Sequence, residues 1–129
     1  MKNSFIHIYQ EGFVPPDRKL VMHATELVEK HFRQHRELAF YLERLGVGEW
    51  RLNRLLGVYL GMTLYELIQD RIHQEAVCLL TTTTMSVKEI TYALGLLDPC
   101  YFSRCFTRIA GISPTRYRTC ILRSGSANR

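Results

Sequence analysis

Two short stretches of this chain place hydrogen-bonding side chains on what reads as the outward face of a helix. In the first, Trp50, Arg51, Asn53 and Arg54 fall opposite Leu52, Leu56 and Tyr59, which recur at i, i+4 and i+7. In the second, Pro99, Cys100, Ser103, Arg104 and Thr107 fall opposite Phe102, Phe106 and Ile109. Amide and guanidinium groups presented in this way suit the edges of base pairs, and a guanidinium also suits a phosphate. The surrounding residues repeat as well. Leu45-Gly46-Val47-Gly48 leads into one stretch and Leu94-Gly95-Leu96-Leu97-Asp98 into the other; Gly61-Met62-Thr63 and Gly111-Ile112-Ser113 follow them. With one residue inserted in the second turn, Gly46 matches Gly95, Arg54 matches Arg104, Leu56 matches Phe106 and Gly61 matches Gly111. Each copy reads as helix, glycine turn, amphipathic helix, glycine stop. Two such helix-turn-helix units present two reading helices without a dimer.

Other chemistry is poorly represented. His31 and His35 stand at i, i+4 on a helix, a spacing compatible with two metal ligands. No third ligand is evident, although His23 and Glu26 are near in sequence, so solvated or partly buried histidines are expected and no metal or cofactor is. There is no glycine-rich phosphate loop, no Ser-His-Asp order and no carboxylate pair in a cleft-like context, which argues against an enzyme. Cys78, Cys100, Cys105 and Cys120 lack CxxC spacing and read as reduced thiols.

The 129 residues suffice for one domain, or for two small lobes sharing a connector. No apolar run approaches the roughly 20 residues of a membrane span, and the N-terminus lacks the pattern of a signal peptide. A cytoplasmic, nucleoid-associated protein is expected. The net charge of +5 is unevenly placed. Residues 1–98 hold eleven Lys and Arg against twelve Asp and Glu, a net −1. Residues 99–129 hold Arg104, Arg108, Arg116, Arg118, Arg123 and Arg129 with no acid, a net +6. A basic cluster of this kind favours a polyanionic partner.

The elements that must position these groups all read as helical. Residues 1–16 look like an N-terminal arm or linker. Asp17 is the expected N-cap of a helix over about 18–34, with Leu20, Val21, Ala24, Leu27, Val28 and Phe32 as its buried stripe. Residues 37–45 form a second helix, with Leu38, Tyr41, Leu42 and Leu45 inward, and about 49–60 a third. Leu64 to Leu80 is a long connector that the run Thr81–Thr84 ends. Ser86 with Glu89 is a capping-box signal for a fifth helix over about 87–94, and Asp98-Pro99 starts the sixth. A last helix begins near Pro114 and runs through Tyr117. The expected organisation is an arm at 1–16, a first helix-turn-helix lobe at 17–63, a connecting helix at 64–80, a second lobe at 81–119 and a polar tail at 120–129.

The stretch from Gly95 to Phe106, continuing through Gly111-Ile112-Ser113-Pro114-Thr115-Arg116-Tyr117-Arg118, resembles the second helix-turn-helix of AraC/XylS-type bacterial transcription regulators. Weaker similarity covers about residues 20–94. The resemblance implies an all-α fold of seven helices, two helix-turn-helix lobes joined by a long central helix. It implies sequence-specific binding of double-stranded DNA, with two recognition helices in successive major-groove segments, and RNA polymerase as a partner. Carried over by position, Trp50, Arg51, Asn53 and Arg54 read bases from the first helix. Pro99, Cys100, Ser103 and Arg104 do so from the second. Asn53 suits a bidentate pair with adenine, and Arg a pair with guanine or a grip on phosphate. Trp50 suits a thymine methyl or sugar, or equally the cap of a core. Tyr101, Thr107, Arg108, Arg116 and Arg118 are the phosphate contacts, with backbone amides at the helix starts.

Some positions depart from that family. Leu42 stands where a small residue is usual, Gly48 where a Ser-type cap is, Gly57 where a basic residue is, and His73 where the connector buries an aliphatic one. The first lobe is thus the less regular and less basic, and the second should dominate affinity. Many family members carry an additional effector or dimerisation domain, for which residues 1–16 are too short. The chain is either a single-domain regulator, active as a monomer on DNA, or a fragment of a longer one; the Met1 start favours the former. A degenerate pair that acts by contact with RNA polymerase or another regulator is the alternative.

Overall fold

A computed structural model describes residues 13–127 of the protein, with side chains through residue 124. The expected arm at 1–16 therefore lies almost wholly outside the described residues. Within them the chain forms seven helices and no strand: α1 Pro16–His31, α2 Leu38–Leu45, α3 Glu49–Leu60, α4 Leu64–Thr82, α5 Val87–Ala93, α6 Pro99–Ala110 and α7 Pro114–Ala127. The all-α, seven-helix expectation is met.

Helix starts follow local chemistry. Two begin with reciprocal capping boxes, which satisfy two backbone donors at once. At α5 the Glu89 N–H donates to Ser86 Oγ (3.0 Å) and the Ser86 N–H to Glu89 Oε1 (2.9 Å), as the sequence suggests. The Ser86 backbone N–H, and then its hydroxyl, hold the Glu89 carboxyl below its usual range. At α4 the same pairing joins Thr63 and Glu66, at 3.2 and 2.9 Å. The carboxylate of Asp98 caps α6, accepting the N–H groups of Cys100 and Tyr101, with Pro99 at the first helical position.

Asp17 does not cap α1. The helix begins one residue earlier, with Lys19 N–H bonded to the Pro15 carbonyl, and Asp17 lies in the first turn, where its charge still suits the helix dipole. Nor do the threonines stop α4 at Leu80. The helix runs to Thr82, with the Thr81 and Thr82 hydroxyls donating back to the carbonyls of Val77 (2.9 Å) and Cys78 (2.6 Å) and so not competing for the backbone ahead of them. Likewise α7 continues to Ala127, through most of the segment expected to be a polar tail.

The chain divides into two compact units. The first takes α1, α2, α3 and the opening turn of α4, and buries Val21, Ala24, Val28, Tyr41, Leu52, Leu56 and Leu64. Its helix-turn-helix bends at Gly46, where φ is 64° and the N–H groups of Gly46 and Val47 close on the Leu42 carbonyl. The second takes residues 31–36 and everything from Ile68 onward, and buries Phe32, Ile68, Ile72, Ala76, Leu80, Ile90, Leu94, Phe102 and Phe106.

Residues 31–36 fall with the second unit, not with the first lobe in which the sequence reading puts them, because a charged cluster holds them there. Arg33 and Arg71 both donate to the Glu75 carboxylate (2.8 and 3.1 Å), and Arg71 lies over the Phe32 ring at 4.5 Å. Gly95 presses on the same segment: its φ is 79°, and a Cβ there would run into the Arg33 carbonyl oxygen. Glycine is needed at this turn for backbone conformation and for space.

Two residues expected inward are exposed. Tyr59 (43%) and Ile109 (52%) occupy matched positions in the last turns of α3 and α6, two residues before the left-handed stops Gly61 and Gly111. Helical periodicity gives their direction, but not how far along the helix the core reaches.

Candidate nucleic-acid interface

The outward face of α3 comes from its residue order. Leu52 and Leu56 are fully buried, so positions near 50, 54 and 57 must face away. Trp50 is 76% exposed, which excludes the core-cap reading. The Arg54 guanidinium lies 5.7 Å from the centroid of the Trp50 ring. That distance allows a cation–π contact, which limits where the guanidinium swings. Glu49, Trp50, Asn53 and Arg54 line one shallow depression. Arg51 lies on the other flank, 3.9 Å from Asp17, in a long and well-exposed pair that holds it only weakly.

Asn53 is tied into the fold. It is half-buried, and its Oδ1 accepts the Leu64 N–H at the start of α4 (2.8 Å). A bidentate pair with adenine needs the amide's acceptor and donor together. One lone pair of that oxygen is engaged inside the protein, which restricts how the amide can turn toward a base.

On α6, Phe102 and Phe106 are buried, and Ser103, Arg104, Thr107 and Arg108 line the corresponding outer depression. Arg104 also has an aromatic neighbour, its guanidinium 5.8 Å from the Tyr101 ring centroid, although Tyr101 stands at the position matched to Arg51 and not to Trp50. Cys100 is exposed and Pro99 half-buried at the helix start. Thr107 donates its hydroxyl to the Ser103 carbonyl (2.7 Å), so a phosphate would have to win that proton from the helix. Arg108 is exposed, its Nη2 3.6 Å from Cys105 Sγ. Arg116 is exposed as well, at the start of α7.

Arg118 is also tied into the fold. Its Nε and Nη2 donate to the carbonyls of Leu80 (2.9 Å) and Thr83 (3.3 Å) at the C-terminal end of α4. The guanidinium thus satisfies carbonyls that the helix leaves unpaired and opposes the negative end of its dipole. It braces the second unit from within.

Sequence reasoning passed over Glu49, an exposed carboxylate on the depression of α3. It also passed over the Thr63/Glu66 box, although Thr-x-x-Glu is a legible signal. Away from these faces, His31 and His35 meet edge to face (centroids 6.1 Å), and no group of three or more His, Cys, Asp or Glu among the described residues could hold a metal. Among those residues no helix is long and apolar enough to cross a membrane.

Comparison with known proteins agrees with this architecture. A family model described as a helix-turn-helix domain matches residues 41–119. The arabinose operon regulatory protein of Salmonella typhimurium is 28% identical over 112 residues, 86% of this chain and 40% of that protein. The chain thus spans about two fifths of this relative's length. The C-terminal domain of AraT, a response regulator from Geobacillus stearothermophilus, superposes with a TM-score of 0.72 at 30% identity, covering 78% of this chain and 84% of that domain. The DNA-binding domain of AdpA, solved in complex with a target DNA, shares the fold with a TM-score of 0.67 at 22% identity, covering 83% of this chain and 93% of that one. With the repeated glycine-turned units, the two outward helix faces and these likenesses in place, the chain belongs to the AraC/XylS-type family of helix-turn-helix DNA-binding domains.

Proposed function

We propose that the protein is a transcription regulator that binds double-stranded DNA in a sequence-specific manner, as a monomer, by setting α3 and α6 into successive major-groove segments. The observation that carries this reading is the matched pair of exposed faces: an arginine over an aromatic ring on each helix, Arg54 with Trp50 and Arg104 with Tyr101. The second unit supplies most of the grip, through Arg104, Arg108 and Arg116; the amides at the start of α6 are already taken by Asp98. The first supplies part of the reading, through Trp50 and Arg54, with Arg51 at its flank. Ser103, Pro99 and Cys100 contribute shape and single contacts. Such a protein acts in the cytoplasm on the nucleoid, and needs no cofactor.

Selection from random duplex DNA followed by footprinting tests the proposal. A protected region covering two major-groove segments about 10 bp apart supports it. Affinity should also fall steeply with salt, because phosphate contacts release condensed counterions. Flat salt dependence, or no enriched sequence, would sink it.

A second reading rests on a separate observation. Val58 (75% exposed), Tyr59 and Leu60 end α3 with an apolar turn, and Tyr65 on α4 is exposed too. The matched turn of α6 is Arg108-Ile109-Ala110, which places a cation where α3 has Val58. Contact with RNA polymerase or another regulator through this turn would use surface that is poorly suited to phosphates.

A further inference from the structure

We propose that Glu49 is a specificity-determining residue: its carboxylate admits an exocyclic amino group of cytosine or adenine at the start of α3 and turns away the other bases. The inference rests on the sequence-specific reading above and deepens it. Each reading helix has an acid at its start, but the two acids are set differently. On α6 it is Asp98, the N-cap, whose carboxylate folds back to accept the N–H groups of Cys100 (3.0 Å) and Tyr101 (3.2 Å). On α3 the N-cap is Gly48, no side chain caps the helix, and the acid is Glu49, one residue further on. The position matched to Glu49 in the second copy is Pro99. Glu49 is exposed and lines the depression shared with Trp50, Asn53 and Arg54.

A carboxylate on a DNA-facing surface is repelled by the phosphates, so it lowers affinity for duplex in general. Its favourable partners in the major groove are amino groups, N4 of cytosine above all; O6 and N7 of guanine and O4 of thymine are acceptors and repel it. Such a residue discriminates by excluding wrong sites as much as by holding the right one. The Asn53 oxygen already accepts the Leu64 N–H, so the charged groups Glu49, as acceptor, and Arg54, as donor, are the strongest hydrogen-bonding groups on this depression. The competing role for Glu49 is purely structural, an acid in the first turn that complements the helix dipole.

Parallel selections from random duplex DNA with the wild type, Glu49→Gln and Glu49→Pro separate these roles. Gln keeps the side-chain shape, and Pro is the residue of the matched position and suits a first helical turn. The wild type should enrich cytosine or adenine at one position facing the start of α3. Both variants should lose preference at that position alone, keep the rest of the motif, and bind unselected duplex about 3- to 10-fold more tightly at fixed salt. Variants that select the wild-type motif with unchanged preference at every position would overturn the inference and leave Glu49 its dipole role. A wild type that enriches no motif would instead overturn the sequence-specific reading, and this inference with it.

Discussion

The Oδ1 atom of Asn53 accepts the backbone N–H of Leu64 at 2.8 Å and so ties the outward flank of α3 to the first residue of α4. The second copy of the repeat solves the same problem differently. Leu64 matches Pro114, which has no N–H to satisfy, and Asn53 matches Ser103. Most other hydrogen bonds of the two junctions agree, the exception being Thr63 N–H to the Glu66 carboxylate, where the second copy has Arg116. Gly61 and Gly111 donate to the carbonyls of Gly57 and Thr107, and Leu67 and Tyr117 to those of Thr63 and Ser113. An Asn where one helix starts with a leucine, and a Ser where the other starts with a proline, is therefore one structural rule met twice.

Asn53→Ala should cost about 1–2 kcal/mol in urea unfolding, because a part-buried N–H at a helix start loses its acceptor. Asn53→Asp should retain wild-type stability or exceed it, since a carboxylate accepts the same bond and complements the positive helix end. Equal stability of the alanine variant and the wild type would remove this role from Asn53.

Arg118→Ala should destabilise the second unit by about 2–3 kcal/mol through loss of charge-assisted bonds to the Leu80 and Thr83 carbonyls. The slope of log affinity against log salt should stay as in the wild type. Arg104→Ala should show the opposite pattern, a shallower slope at unchanged melting temperature. A shallower slope for Arg118→Ala would return that residue to the DNA contacts.

Three glycines give contrasting outcomes. Gly57 lies inside α3 with open space around the place of a Cβ, so Gly57→Ala should stabilise by about 0.5–1 kcal/mol. Gly46→Ala meets no atom but is held at positive φ and should cost about 1–2 kcal/mol. Gly95→Ala combines positive φ with collision against the Arg33 carbonyl and should cost more than about 3 kcal/mol. Thermal melts that rank the three in another order would contradict this geometry.

The ring of His73 packs 4.8 Å from Phe106, and its Nδ1 is buried with no hydrogen-bond partner. Burial holds its pKa below the ordinary 6.5, opposed by the Asp70 carboxylate. Folding thus favours the neutral ring. The stabilising effect is fully present above pH 6.5 and is lost as the pH falls through the lowered folded value. Below pH 6.5 the wild type should lose stability more steeply than His73→Leu, which should also gain about 1 kcal/mol at neutral pH by removing an unpaired buried nitrogen. Parallel pH profiles for the two proteins would assign the titration to another group.

Much of the molecule is local chemistry and is legible in the residue order. The alternation of Leu52 and Leu56 with Trp50 and Arg54, the glycine turns, the Ser86/Glu89 box and the Asp98-Pro99 start each depend on neighbours within about five residues. Residue order alone thus carries an all-α chain with two matched units, the outward direction of Arg54 and Arg104, and the basic character of the second unit; the exposure of Trp50 comes from the fold. Which polar side chains of those faces are engaged within the protein depends on packing. Asn53 reaches Leu64 eleven residues on, Arg118 reaches Leu80 and Thr83 across more than thirty, and Gly95 meets Arg33 across more than sixty. Helical spacing places a side chain on a face, but whether its donors and acceptors are already engaged depends on backbone groups brought close by packing. Spacing along one helix carries no record of them.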